Sequence, residues 1–292
     1  MELWQANQTR SLATIAHNGT ITHAGIPNPN YAADSDIPRY AAIRFRNCVS
    51  RNEAQMLLDQ IEELKDAKMP FKTTAAHGDT FLQAWIGLWR KYSSTPFVSA
   101  GRMQKKPVLN KGIKNLMRIL DRSLAKAATY LRKVDEPTYN RMRQAHKTWF
   151  AKDPDRARTS SFRLGGIGSM MAVSISTGAG TSYHYDEGDD GHFYSMILVL
   201  GIGGLLKLPE TGYQFCVRPG DELIKKLNVV FFLANQQLHK LEVDCGTPNA
   251  VQTVFTLWTD KLAMQSAKPS QYNDFYTVEP DAEDETDDEN GR

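Results

Sequence analysis

Between Asn110 and about Arg132, Ile113, Leu116, Met117, Leu120, Leu124 and Ala127 recur at steps of three and four residues. That is the period of a helix with one buried face. The intervening positions carry Lys111, Lys114, Arg118, Arg122 and Lys126, so the predicted helix has a basic exposed side. Met56, Leu57, Ile61 and Leu64 repeat the pattern from Ser50 to about Asp66, where Ser50 and Glu53 spell a capping box. A further basic helix is predicted from about Pro137 to Phe150, and a short strand at Tyr40–Phe45. The aromatic stretch Phe81–Tyr92 fits a helix or a strand. After Arg163 the helical period stops. Seven short runs follow, separated by Gly and Pro: Met170–Thr177, His192–Leu200, Gly204–Leu208, Tyr213–Val217, Val229–Ala234, His239–Val243 and Gln252–Thr259. Closely spaced strands of this kind predict a β-sandwich or barrel.

In the run Met170–Thr177, Ser174 and Ser176 share one face and Met171, Val173 and Ile175 the other. Strand alternation therefore predicts a pocket-lining face and a face packed beneath the helices. The chain of 292 residues is 41% hydrophobic and 23% charged, which excludes a wholly disordered protein. The three cysteines, Cys48, Cys216 and Cys245, form no CxxC pair, so neither a disulfide scaffold nor a cysteine–zinc site is expected. The start, MELWQANQTRS, has no apolar stretch of signal-peptide type. The apolar run Phe193–Leu206 is glycine-broken and too short for a membrane span. An intracellular, nuclear protein is the expectation.

The formal net charge of +2 conceals a strong asymmetry. Residues 101–163 contain 17 Lys and Arg against 5 Asp and Glu, whereas residues 274–292 contain nine acids and one base. A basic block beside an acidic, low-hydrophobicity end points to a polyanionic partner such as nucleic acid. It also predicts a disordered acidic tail at 278–292. The organisation expected is a basic helical and mixed support region at 1–162, a β core at 163–277, and that tail.

The chemistry concentrates at His184-Tyr185-Asp186, with His239 53 residues after Asp186 at the start of a predicted strand. Two imidazoles and one carboxylate can occupy one face of an octahedral metal and leave the other open, an arrangement that suits Fe(II). On its own, HxD with a later His is a common coincidence. The text downstream is richer: LPETGYQFCVRPGD, then VVFFLANQQLHKL, then VFTLWTDK. It gives a strand, a Pro219-Gly220-Asp221 turn, an apolar strand and the distal His.

That order resembles the double-stranded β-helix (jelly-roll) of Fe(II)/2-oxoglutarate-dependent dioxygenases, over about residues 163–261. Within that superfamily it is most similar to the TET/JBP group of nucleobase dioxygenases, including fungal and algal relatives. The resemblance implies an α+β fold with a jelly-roll core on supporting N-terminal helices. It implies Fe(II) held by His184, Asp186 and His239, with 2-oxoglutarate as co-substrate. The implied reaction oxidises a methylated base, of the 5-methylcytosine type, in DNA, with the base flipped or single-stranded to reach the metal. Lys111, Lys114, Arg118, Lys225 and Lys226 are then candidates for phosphate contacts. No dinucleotide cofactor is implied, because the GxGG at 201–204 has no following helix.

The sequence departs from the family pattern at two places. The family anchors the distal carboxylate of 2-oxoglutarate with an Arg or Lys on the last strand. Ala250–Phe255 here holds neither, and Gln252 sits nearest the expected position. Lys207 and Arg163 are the candidate substitutes, with Arg218 behind them. The other course is a different co-substrate: some algal relatives use ascorbate, and Asp189 would extend the site to an HxDxxD pattern that resembles theirs. Glu222–Asn228 also intervenes between the Pro-Gly-Asp turn and the apolar strand, and is read as a surface insertion. A dioxygenase acting on a protein or small molecule, and an inactive binding module, are the alternative functions.

Overall fold

The computed structural model describes residues 12–15, 23–33, 35–46, 48–74, 78–89, 97–98, 106–152, 164–176, 180–186, 190–201, 204–216, 227–234, 240–243 and 252–259. His239, Arg163, Asp189, Arg218, Lys225, Lys226 and the stretch 278–292 lie outside them. Three layers stack: helices, a nine-stranded sheet and a four-stranded sheet.

The large sheet has the order β2 (His23–Pro27), β3 (Tyr40–Arg46), β11 (Leu227–Ala234), β8 (Tyr194–Gly201), β13 (Gln252–Trp258), β7 (Met170–Ser176), β5 (Gly78–Trp89) and β4 (Lys72–Thr74), with β6 (Phe97–Val98) pairing β5. The small sheet has the order β1 (Ala13–Ile15), β10 (Tyr213–Cys216), β9 (Gly204–Leu208) and β12 (Lys240–Val243). The seven runs expected after residue 163 are all strands, with ends within two residues of the expected ones. Of the stretch Phe81–Tyr92, Phe81–Trp89 is strand, within β5, and residues 90–92 lie outside the described residues. Leu227 and Asn228, read as part of an insertion, belong to β11 and pair with Gly201 and Leu200. The support region is not merely helical, because β2 to β6 extend both flanks of the large sheet and β1 joins the small one.

Alternation along the strands decides which core each residue enters. Met171, Val173 and Ile175 of β7, with Met196, Leu198 and Leu200 of β8, pack against the helices. Ile197, Val199 and Val254 face the other way, onto Leu206, Leu208, Phe215 and Leu241 of the small sheet. Ser174 and Ser176 share that inner face with Val254 by register, and both are buried. β8 is buried along almost its whole length because it has a core on either side.

The helices are α1 (Arg51–Asp66), α2 (Pro107–Val134) and α3 (Glu136–Lys152). The capping box of α1 is formed: Ser50 Oγ accepts from the Glu53 N–H, and Glu53 Oε2 accepts from the Ser50 N–H. Gly112 lets α1 and α2 approach closely, since a Cβ there would meet Leu64 Cδ2 at 2.8 Å. The corner between α2 and α3 is fixed by Asp135, which is buried. Its Oδ2 accepts from the Arg39 N–H at 3.0 Å, the Thr138 hydroxyl at 2.9 Å and the Tyr194 hydroxyl at 2.7 Å. Tyr194 Oη in turn accepts from the Tyr40 N–H at 3.1 Å, so one chain of hydrogen bonds joins the helix corner to β3 and β8. Burial, with the adjacent Asp135 charge and hydrogen bond, pushes the Tyr194 phenol well above its usual range. Among the described residues no helix is long and apolar enough to cross a membrane.

Two outcomes are expected. Tyr194→Phe leaves the buried Asp135 carboxylate one donor short and should cost about 2–3 kcal/mol in urea unfolding. His146 on α3 is buried, and that burial, helped by the nearby Arg143 charge, pulls its imidazole down to about 3. The folded state thus disfavours the proton that the unfolded chain takes up near pH 6.5. Stability should fall as pH drops from about 6.5 towards 3, with a slope of up to about 1.4 kcal/mol per pH unit from this group. His146→Gln should flatten that slope in denaturation midpoints measured between pH 4 and 7; an unchanged slope would assign it elsewhere.

Candidate metal centre

The segment 180–186 follows β7 and runs beside the small sheet. Its place is set by Thr181, whose N–H donates to the Leu241 carbonyl at 2.8 Å while its Oγ1 accepts from the Leu241 N–H at 3.0 Å. Both hydrogen bonds are buried in effect, since Thr181 and Leu241 are. Lys240 Nζ sits 5.7 Å over the Tyr183 ring, a second tie between β12 and this segment. Three residues beyond Thr181 comes His184.

His184 Nδ1 lies 2.8 Å from the Ser182 carbonyl oxygen. A carbonyl can only accept, so Nδ1 carries the proton, and in the neutral ring the lone pair belongs to Nε2. Nε2 is 3.7 Å from Asp186 Oδ1. That separation is below twice a metal–ligand bond of about 2.0–2.2 Å, so both atoms can bond one ion. The side chains are 23% and 27% exposed, half-sheltered but reachable. Backing of the Nδ1–H by a carbonyl is the usual way in which a ligating imidazole is oriented. Tyr185, between the two, points outward, and its hydroxyl donates to Glu210 Oε1 at 2.7 Å. This anchors the His-Tyr-Asp turn to the β9–β10 turn. Partial burial, with the Glu210 hydrogen bond and charge, pushes that phenol up to about 12.

His239, the expected third donor, lies outside the described residues. It is covalently next to Lys240, whose side chain covers Tyr183, and two residues before Leu241, which pairs with Thr181. Among the described residues no cluster of three metal-ligating side chains is complete.

The other sequence candidates divide. Gln252 pairs through its backbone with Ser176, the end of the strand that leads into the site segment. Lys207 alternates with Leu206 and Leu208, which enter the core between the sheets. It therefore occupies the outer face of the small sheet, in register with Gln214 and Lys240, and is not brought to the inner face. Alternation was visible in GLLKL, but not which side was inside. The cation that does enter the space between the sheets is Arg44, which sequence reading passed over. It is buried, donates from Nη1 to the Cys216 carbonyl at 3.1 Å, and lies 5.4 Å over the Phe215 ring. Its signal was an arginine at an inward position of an otherwise apolar strand. His192 is turned to solvent with Nδ1 2.7 Å from Asp190 Oδ1. Lys111, Lys114 and Arg118 are exposed on α2, across the large sheet from the small sheet and the His184 segment. A cleft of about 580 Å³ at the α2–α3 corner, lined by Tyr31, Arg39, Arg132 and Lys133 among others, includes none of the site residues.

No family model matches the chain, and no curated protein matches it in sequence. Solved structures do match. NgTET1 in complex with 5mC DNA superposes with a TM-score of 0.55 at 13% identity, covering 82% of this chain and 80% of that one. The two chains share a fold. A 2OG-Fe(II) oxygenase family protein from Burkholderia pseudomallei aligns at a TM-score of 0.40 and 9% identity, covering 78% of this chain and 88% of that one. A Pseudomonas putida prolyl-4-hydroxylase aligns at 0.36 and 13%, covering 75% and 91%. The likeness to NgTET1 covers 82% of this chain, so it extends well beyond the stretch around His184.

Thr181→Val keeps the shape of the side chain but leaves the buried Leu241 N–H without its acceptor. The expected cost is about 1–3 kcal/mol in chemical denaturation.

Proposed function

We propose that the chain is a non-haem iron(II) dioxygenase that uses 2-oxoglutarate to oxidise a methylated base, of the 5-methylcytosine type, in DNA. The observation that carries this reading is the His184–Asp186 pair, its imidazole oriented by Ser182, beside the strand that follows His239. The fold shared with NgTET1 and the basic stretch at 101–163 support the choice of substrate. A DNA substrate would place the protein in the nucleus.

The donor set fits iron(II): neutral imidazole nitrogen and hard carboxylate oxygen, with a second imidazole from His239. Bound there, the metal with its co-substrate and O2 supplies the oxidising power for a methyl C–H bond. The chain supplies position. Ser182 holds the Nδ1 proton and so keeps the Nε2 lone pair turned to the metal side. The Tyr185–Glu210 hydrogen bond restrains the turn that sets the spacing between His184 and Asp186. Buried Ser174 and Ser176 line the inner face of β7, with Gln83 Nε2 donating to Ser174 Oγ at 3.0 Å. With Lys207 on the outer face, Arg163 and Gln252 are the remaining sequence candidates for the far carboxylate of 2-oxoglutarate.

A second reading, ascorbate as co-substrate with Asp189 beside the site, is favoured by the absence of Lys and Arg from Ala250–Phe255. Incubation with 5-methylcytosine duplex and Fe(II), followed by nucleoside mass spectrometry, separates the two. Product that requires 2-oxoglutarate is the expected result, and product with ascorbate alone would select the second reading. His184→Ala and Asp186→Ala should each fall to background, and chelation should abolish product until Fe(II) is restored. No product in any arm, with intact iron binding, would move the substrate to a protein or small molecule.

A further inference from the structure

The outer side of α2 takes no part in the site. Lys111, Lys114, Arg118 and Arg122 are all exposed there. At 100° per residue they fall within an arc of about 80°, and at 1.5 Å per residue they span about 16 Å. They form a straight row with a step of about 5 Å.

The row is of one sign. Three other bases are matched: Lys65 with Glu62, Lys126 with Glu53 and Arg132 with Glu136. No described carboxylate lies within 4.0 Å of the four basic groups of the row. The sole acid within α2, Asp121, is half-buried and accepts from the Gly165 N–H at 3.0 Å. Like charges three and four residues apart repel, so this arrangement opposes helix formation rather than assisting it. Burial of the other face, Ile113, Leu116, Met117, Leu120 and Leu124, is what holds the helix. The row therefore has no role in the fold that its charge explains.

We propose that this row is a second duplex-DNA surface, which holds a different segment from the one presented to His184 and Asp186. A duplex carries one phosphate charge per about 1.7 Å of axis, so a rigid line of cations meets it without sequence preference. The layers separate the two surfaces. α2 packs on one face of the large sheet, and the His184 segment is tied to the small sheet on the other. Duplex DNA is stiff over about 150 base pairs, so a short duplex at the site does not bend around the sheet to reach α2. The inference shares its partner, DNA, with the proposed function but not its chemistry. Its effect is to keep the protein on long DNA by sequence-independent contacts while the site samples another segment.

The test is single-particle mass measurement of the full chain at low salt with two 20-base-pair duplexes, one fluorescently tagged for a parallel energy-transfer assay. Wild type should form complexes with two duplexes. The variant Lys111→Glu, Lys114→Glu, Arg118→Glu, Arg122→Glu should form complexes with one, with bridging at least tenfold lower and an unchanged thermal melt. The salt dependence of the lost event should have a slope of about −3.6 in log–log form, from about −0.9 per phosphate. His184→Ala should bridge like wild type. Equal bridging by wild type and the reversed-charge variant would overturn the proposal, as would a single duplex on wild type, the result expected if the acids of 274–292 cover the row instead. Base oxidation without bridging rejects this inference alone; bridging without oxidation rejects the dioxygenase reading alone.

Discussion

One buried carboxylate sets the relation between the helical layer and the sheet. Asp135 ends α2 and begins α3, and it is withdrawn from solvent. A lone carboxylate in such a place would be costly, but here four donors converge on it: two from Thr138, one from the Arg39 backbone and one from Tyr194. The donors come from three elements. Thr138 lies in the first turn of α3, Arg39 immediately precedes β3, and Tyr194 opens β8. The corner of the helical hairpin is thereby locked to two strands of the large sheet. Apolar packing between α2 and that sheet is extensive but non-directional. Asp135 supplies the direction.

The second constraint is double burial of the large sheet, and it explains what the sequence could and could not reveal. Strands after residue 163 were legible because most are short β-branched or aromatic runs bounded by turn residues. The helices were legible from their period and from the Ser50–Glu53 box. By contrast β1 and β2 are short edge strands whose partners lie far along the chain. Ala13 pairs with Tyr213 and His23 with Phe45, and nothing in three or five residues announces such partners. Phe81–Tyr92 was ambiguous because its large apolar residues fit either period. A strand with a core on both faces loses its alternation, as β8 does, with burial that barely alternates.

The site was legible in type and partly in place. His184 and Asp186 were marked by their spacing and by the strand order behind them. The orientation of the imidazole was not, because it rests on a carbonyl two residues away that any sequence possesses. Nor was the role of Thr181, whose side chain completes the pairing with Leu241. Parity explains why the face of Lys207 was out of reach. A five-residue strand states which residues share a face, and only the other sheet states which face is inside.

That same parity bears on how an anionic co-substrate could be held. The inner face of the large sheet offers buried hydroxyls, Ser174 and Ser176 on β7 and Ser195 on β8, and one buried cation, Arg44. Arg44 stands on β3, four strands from β7 in the sheet order, and is engaged with Cys216 and Phe215. Moving it towards His184 would break that hydrogen bond and the ring contact inside a packed core. Among the described residues, the groups beside β7 and β13 are neutral hydrogen-bonding ones, Gln83 and the two serines, with Gln252 in register opposite Ser176. Such a surface holds an anion only if a base arrives from another segment, whereas it suits a neutral or singly charged polyol as it stands. Arg163 is the sequence candidate for that base: it directly precedes the Leu164–Gly166 turn that leads into β7. Under the proposed function, the choice between a dicarboxylate and a polyol co-substrate thus turns on whether a guanidinium such as that of Arg163 joins the neutral groups described beside β7.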